Sequence, residues 1–342
     1  LMAFGASEVT LPYARDFMLY ILPGMFMTNF AFTFNNFMRV SGYPVKAMVT
    51  MFIGAGVNVI LAPIFIFWLG WGIKGAAIAT DISMTVSALF VMSHFFNRSS
   101  VLHFEHDSWM YRPSWRVIAS IISIGAAPSL VNAAACFINV IINKSLYTYG
   151  GDIAVGAAGI FTSYTSLMTM VIVGMCQGMQ PIIGYNYGAG MLGRLKRTYW
   201  LAVGAATVIV AIGQIGGLGF PWHIARAFTS DSELIDQTVR CLHISLLAFT
   251  VVGFQVISTT LFQSLGKATA SIFLSLARQV IFLIPLLLFL PGRFGLDGIW
   301  MSFPISDMLA TAVTIVMVAV QISRLGKATS QPRNLCPESL ES

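Results

Sequence analysis

The sequence predicts an all-α membrane protein: a polytopic helical bundle, nine spans of a twelve-helix, two-lobe (6+6) architecture. Composition, unbroken apolar runs and an internal repeat carry that expectation. Of the 342 residues 57% are apolar and only 9% charged, with a mean hydropathy of +0.80, against roughly 25% charged residues in soluble domains. A soluble core of this size cannot hide so much apolar surface, so the solvent is a bilayer. The runs are continuous rather than alternating, which selects helices over a barrel. The net charge of +6 is spread singly between apolar runs. It builds no basic face, so no nucleic-acid partner is expected and the charge fits membrane topology.

Taken in order, the apolar runs fall near 17–38, 46–69, 74–96, 116–143, 153–183, 199–220, 239–263, 269–290 and 296–322. Each can cross a hydrocarbon core about 30 Å thick, which takes about 20 helical residues. Alternate connections are basic, holding Arg39 and Lys46, then Arg98, Arg112 and Arg116, then Arg194, Lys196 and Arg197, then Lys267, then Arg324, Lys327 and Arg333. The opposite connections carry Glu8, Asp16, Asp152, Asp231, Glu233, Asp236 and Asp297. Positive charge stays cytoplasmic, which puts the carboxyl terminus in the cytosol.

The repeat explains the odd number of spans. Ser7-Glu8 through Arg15 matches Ser232-Glu233 through Arg240, and Met38-Arg39-Val40-Ser41-Gly42 matches Phe262-Gln263-Ser264-Leu265-Gly266. Trp71-Gly72-Ile73-Lys74-Gly75 matches Phe294-Gly295-Leu296-Asp297-Gly298, with Ile82-Ser83 against Ile305-Ser306. The offset drifts by single residues only, as expected of a duplicated unit. Spans one to three thus repeat as seven to nine, while four to six have no partner. The symmetric solution is a fragment lacking about three preceding helices, opening at Leu1 without a signal segment. Residues 1–97 would then be the rest of an amino-terminal lobe (helices 4–6) and 116–325 a carboxyl-terminal lobe (helices 7–12). Residues 98–115 would be a cytoplasmic linker and 326–342 a cytoplasmic tail. His94, His103 and His106 show no metal-ligand spacing. Cys136, Cys176 and Cys241 lie in apolar runs and Cys336 in the tail, and they read as free thiols.

The stretch Gly178 to Gly190 closes the fifth run and opens a basic turn. Gln177, Gln180 and Pro181 sit where lipid offers no hydrogen bond, so they face protein or a wet cavity. Gly184, Gly188 and Gly190 are expected to let the backbone leave the helix, with Asn186 and the tyrosines between them. The alternative is a plain helix end with aromatic interfacial anchors.

Asn36 to Gly42, Asn58-Val59-Ile60-Leu61-Ala62-Pro63, Gly72 through Thr80, and Gln180-Pro181 through Ala189 together resemble the MATE (multidrug and toxic compound extrusion) family, over essentially the whole chain. The resemblance implies a secondary antiporter, not an enzyme, which exports amphipathic, often cationic organic compounds in exchange for Na⁺ or H⁺. It implies no cofactor beyond the coupling ion, and a monomer spanning the bilayer of the inner (plasma) membrane. Alternating access would come from two lobes rocking about a central cavity.

The resemblance also implies a coupling-ion site in the amino-terminal lobe, and Asn36 (or Asn35), Asn58 and Thr80 fill three of its positions. A fourth position, acidic in the family, is Ala62, which removes one oxygen ligand. Asp81, beside Thr80, is the replacement candidate, although adjacent residues lie about 100° apart around a helix. The acidic pair some members use on the seventh and tenth helices has no counterpart, because those spans contain no Asp or Glu.

Other polar groups inside the spans have structural and functional readings. A carboxylate at the bilayer centre costs at least about 2.5 kcal/mol, so Asp81 and Asp307 must face the interior or a cavity. Asp307 reads as a hydrogen-bonded helix contact, and Arg278 either as the structural partner of a carboxylate or, the preferred reading, as a side chain snorkelling to the cytosolic face. Asn132, Asn139 and Asn143 form a stripe that lines a cavity or bonds a neighbouring helix, with Gln177 and Gln180 as further lining candidates. Two rival functions are a flippase for lipid-linked oligosaccharides, which needs a cationic cavity, and a membrane enzyme, which needs a nucleophile–base or metal constellation. A channel would need a repeated filter segment.

Overall fold

The computed structural model describes residues 11–96, 100, 102–103 and 114–328, which among themselves form helices and turns and no strand. The contacts divide the chain into two units, Leu1–Pro113 and Ser114–Ser342.

The first unit is a three-helix bundle of α1 (Leu11–Val40), α2 (Pro44–Pro63) and α3 (Gly72–Phe95). The α1–α2 turn follows from its residues. Gly42 adopts φ 91°, Gly42 N donates to Arg39 O at 3.2 Å, and Tyr43 N donates to Met38 O at 3.0 Å. That pair of bonds closes a helix end on a left-handed glycine, and Pro44 then starts the next helix where its missing N–H costs nothing. Beyond Pro63, α2 relaxes into a π-helical turn, Ile64–Trp68, as expected where a proline interrupts the hydrogen-bond ladder. Helix α3 packs against both others and buries small residues, among them Gly75, Ala77, Ala79, Ser83 and Ser87. A Cβ on Gly75 would stand 2.7 Å from the Phe65 carbonyl oxygen, so only glycine permits this approach. Outward-facing side chains are apolar, with Phe67 78% and Trp68 89% exposed, the pattern of a surface solvated by lipid.

The second unit begins with α4 (Trp115–Gly188), broken at Gly151 (φ 61°, ψ −160°). Its 74 residues are far more than one bilayer crossing needs, and the break divides them into two passes. Helix α5 (Leu192–Gly219) follows, then the short α6 (Pro221–Phe228). Helices α7 (Ser232–Ser245) and α8 (Thr250–Ser264) form one span bent by 60°. Gln214 of α5 staples that bend, donating to Leu247 O at 3.0 Å and accepting from Thr250 N at 2.8 Å. This satisfies backbone groups that lipid could not. Next come α9 (Ala268–Leu276), a π-helical stretch Ala277–Leu283, α10 (Ile284–Phe289), α11 (Pro291–Phe294) and α12 (Leu296–Ala328). With α4 counted as two passes and α7–α8 as one, the described helices make nine. The core of this unit centres on fully buried Trp300, Tyr199, Leu246 and Ile257.

The repeat is visible in the backbone. Gly266 (φ 72°) closes α8 as Gly42 closes α1, with Lys267 N donating to Phe262 O at 2.9 Å and Gly266 N to Gln263 O at 3.0 Å. Gly72 (φ 51°) opens α3 and Gly295 (φ 57°) immediately precedes α12, the third helix of each copy, and each second helix carries a π-helical turn. Gly298 presses on Leu290 as Gly75 presses on Phe65.

One expectation needs correction. Gly184 and Gly188 remain inside α4, and only Gly190 (φ 71°) turns the chain, with Met191 N donating to Asn186 O at 2.8 Å. Gly184 instead lies beside the end of α8, where a Cβ would stand 3.8 Å from Ser264 O. Glu8, Arg98, Glu105, His106, Asp107, Arg112, Arg333 and Cys336 lie outside the described residues, as do most of the linker and the tail.

Candidate functional site

The polar residues of α3 divide between its two neighbours. Toward α2, Asn58 Nδ2 donates to Thr80 Oγ1 at 3.2 Å and reaches Ser83 Oγ at 3.5 Å. The hydroxyls are held in turn, with Thr80 donating to Ala76 O at 2.9 Å and Ser83 to Thr80 O at 2.7 Å. Those helix-internal bonds fix both oxygens in place, so Asn58, Thr80 and Ser83 form a pre-set group of oxygens within the span. Ala62, one turn beyond Asn58, adds nothing to it.

Toward α1, Asp81 lies against Gly24 in a cleft of about 400 Å³ lined by Ile21, Gly24, Met25, Thr28, Asn29, Thr80, Asp81 and Met84. Its Oδ1 is buried without a hydrogen-bond partner. Gly24 makes this possible, since a Cβ there would overlap the carboxylate. Thr28 donates to Gly24 O at 2.7 Å and Asn29 to Met25 O at 2.8 Å. These bonds turn both side chains along α1 and leave their oxygen lone pairs beside the cleft. Thr80 lines the cleft while bonding Asn58, which makes it the joint between the α2 group and Asp81.

The predicted residues therefore do not all converge. Asn58 and Thr80 are bonded, and Asp81 adjoins them from the other face of α3. Asn36 makes no hydrogen bond to either. It sits twelve residues past Gly24, about 18 Å along α1 at 1.5 Å per residue. Its neighbour Asn35 is structural, donating to Ala47 O at 2.8 Å. Sequence reasoning missed Thr28, Asn29 and Ser83. Their spacing on α1 and α3 was available, but not the rotation that turns them to Asp81 and Asn58.

In the second unit Asn132, Asn139, Asn143 and Gln180 are exposed, and Gln177 and Pro181 half-buried. Asn186 is buried and donates to Ile182 O at 2.8 Å. Of the two readings of Arg278 the structure shows the pair and not the snorkel: its Nε donates to Asp307 Oδ1 at 2.6 Å, with the aspartate side chain 7% exposed and the arginine side chain 35%. Asp307 is a helix contact as expected. Gln255 Nε2 bonds its backbone oxygen at 2.7 Å and Thr311 Oγ1 at 2.8 Å, tying α8 to α12. Equal depth in adjacent spans brings Arg278 and Asp307 together and makes pairing cheaper than reaching for an interface.

The sequence model of the MatE family matches residues 1–64 and 128–288. Among curated relatives, the multidrug export protein MepA of Staphylococcus aureus (strain MSSA476) is 26% identical over 328 residues, 96% of this chain and 71% of MepA. Among solved structures, a multidrug resistance MATE transporter of the MOP superfamily in an outward-facing conformation superposes with a TM-score of 0.86 at 25% identity, over 95% of this chain and 73% of its own. A MATE protein in complex with MaL6 gives a TM-score of 0.86 at 26% identity, over 94% and 73%. A family model covering more than half the sequence, on a duplicated all-helical fold that superposes on these transporters, makes this chain a multi-pass membrane protein of the MatE family.

Proposed function

We propose that this protein is a secondary active antiporter that exports amphipathic organic compounds, cationic ones included, in exchange for entering Na⁺ or H⁺. The observation that carries the reading is the match to a multidrug export protein along 96% of this chain. The fold adds a half-buried carboxylate, Asp81, with its Oδ1 buried next to a bonded group of neutral oxygens, inside a span. A carboxylate in that position holds a cation or a proton when its surroundings close and releases it when they open. Asp81 is the coupling residue in this reading, and Thr80 carries its state to Asn58. Residues 1–97 and 116–325 act as the two lobes, and the basic turns at Arg39–Lys46 and Arg194–Arg197, with the carboxyl terminus, face the cytosol of a cell bounded by this plasma membrane. The protein works as a monomer and needs no organic cofactor.

A flippase for lipid-linked oligosaccharides fits less well, because a pyrophosphate cargo calls for several convergent cations. Arg278, a midspan cation of the second unit, already carries Asp307 as its counter-charge.

Ethidium efflux from cells lacking their own pumps tests the reading. The wild-type chain should lower dye accumulation, and Asp81→Asn should abolish the Na⁺ or pH dependence of that effect. No efflux by the wild type would refute the proposal.

A further inference from the structure

The ion pair of the second unit engages only the Nε–H of its guanidinium. Arg278 Nε bonds Asp307, and the two Nη nitrogens meet no hydrogen-bond partner among the described residues. Neither is buried without a partner, and the arginine side chain as a whole is 35% exposed. Depth makes this unusual. Arg278 lies ten residues into the span Ala268–Phe294 and Asp307 eleven into Leu296–Leu325, about 15 Å along each helix at 1.5 Å per residue. That is the middle of a hydrocarbon core about 30 Å thick. Lipid there offers no acceptor, and the depth exceeds what an arginine side chain spans, so the free edge must meet an aqueous cavity or a bound polar group. Arg278 also stands in the π-helical stretch Ala277–Leu283, a distortion found often at functional sites.

We propose that Arg278 is a substrate-binding residue, whose Nη edge takes the carboxylate of amphipathic substrates that carry one, zwitterions included. The inference rests on the export reading and narrows its substrate class. The planar fork of two Nη donors matches the two oxygens of a carboxylate, and charge-assisted bonds of this kind are about twice as strong as neutral ones. Asp307 is the positioning residue: by engaging Nε from a 7% exposed site it fixes the guanidinium plane with its opposite edge outward. The Gln255 bonds to Asp307 O and Thr311 hold that carboxylate's backbone in turn. Because Asp307 already balances the guanidinium, the net charge of the pair is zero. A bulky dianion such as a pyrophosphate is not accommodated, while a single carboxylate, especially one with its own cation elsewhere in the molecule, is.

Tetramethylrhodamine and its methyl ester separate the possibilities, since they differ only in whether the carboxylate is free. Binding of each to the purified full chain in detergent is followed by fluorescence anisotropy. The wild type should bind both dyes. Arg278→Gln should weaken the acid about tenfold or more and leave the ester within about twofold. Arg278→Lys, which keeps charge but loses the fork, should fall between. Should Arg278→Gln fail to fold, the double variant Arg278→Gln/Asp307→Asn removes both charges at once and should show the same selective loss. Asp307→Asn should lower the acid-to-ester affinity ratio, whereas a purely structural role would shift both dyes together. Equal losses for both dyes, no loss, or a wild type that binds the ester but not the acid would overturn the assignment. A wild type that binds neither dye would instead count against the export reading itself.

Discussion

Asp81 Oδ1 is buried against Gly24 of the neighbouring helix, with no hydrogen bond to satisfy it. A proton or a cation completing a carboxylate oxygen held this way would offset its burial, which is why the coupling proposal centres on this contact and not on Asn36.

Gly24 is the first place to test it. Gly24→Ala should push Asp81 out of the cleft, cost about 1–3 kcal/mol of stability as overpacking does, and impair coupling as severely as Asp81→Asn. Thermal unfolding of the purified protein in detergent, alongside dye efflux, measures both. Asp81→Ala added to Gly24→Ala should restore most of the stability but none of the coupling.

The Asn58–Thr80 bond should be modest in energy and larger in consequence. A double-mutant cycle with Asn58→Ala and Thr80→Val should give a coupling of about 0.6 kcal/mol, the average for hydrogen bonds between membrane helices. If Thr80 links Asn58 to Asp81, either variant should reduce ion-dependent efflux several-fold while leaving expression near wild type.

Removing one member of the Arg278–Asp307 pair should destabilise more than removing both. Arg278→Met or Asp307→Leu alone should cost about 3 kcal/mol by leaving a charge uncompensated, and the double variant should recover most of it. Midpoints of thermal unfolding compare the three variants directly.

The turn glycines divide by backbone geometry. Gly42, Gly190 and Gly266 all have positive φ, so alanine there should cost about 1–2 kcal/mol each. Gly188→Ala, within α4 and with open space around its Cβ position, should be neutral or stabilise by up to about 1 kcal/mol. Unfolding of the single variants checks the contrast.

Much of the architecture was legible in the residues. The nine apolar runs map onto the helical passes, and the glycines of the repeat (Gly42 with Gly266, Gly72 with Gly295, Gly75 with Gly298) mark real turns and close approaches. What local pattern could not decide was which of several like residues does a given task. Gly184, Gly188 and Gly190 look alike in sequence, and only the hydrogen bonds of the helix end single out Gly190. Asp81 and Thr80 are adjacent, yet helix rotation turns one to α1 and the other toward α2, and no periodicity within α3 alone reveals that Gly24 and Thr28 stand opposite. The Arg278–Asp307 pair was within reach, because counting residues into consecutive antiparallel spans puts both at one depth. The staple from Gln214 across the α7–α8 bend was not, since it depends on a break that apolar composition conceals.

Reconstitution into liposomes tests the central claim most directly. With the chain in the bilayer and an imposed Na⁺ or proton gradient, ethidium should move against its own gradient, and Asp81→Asn should stop that movement while leaving downhill dye exchange intact. Absence of gradient-driven movement with either ion, or undiminished coupling in Asp81→Asn, would contradict it.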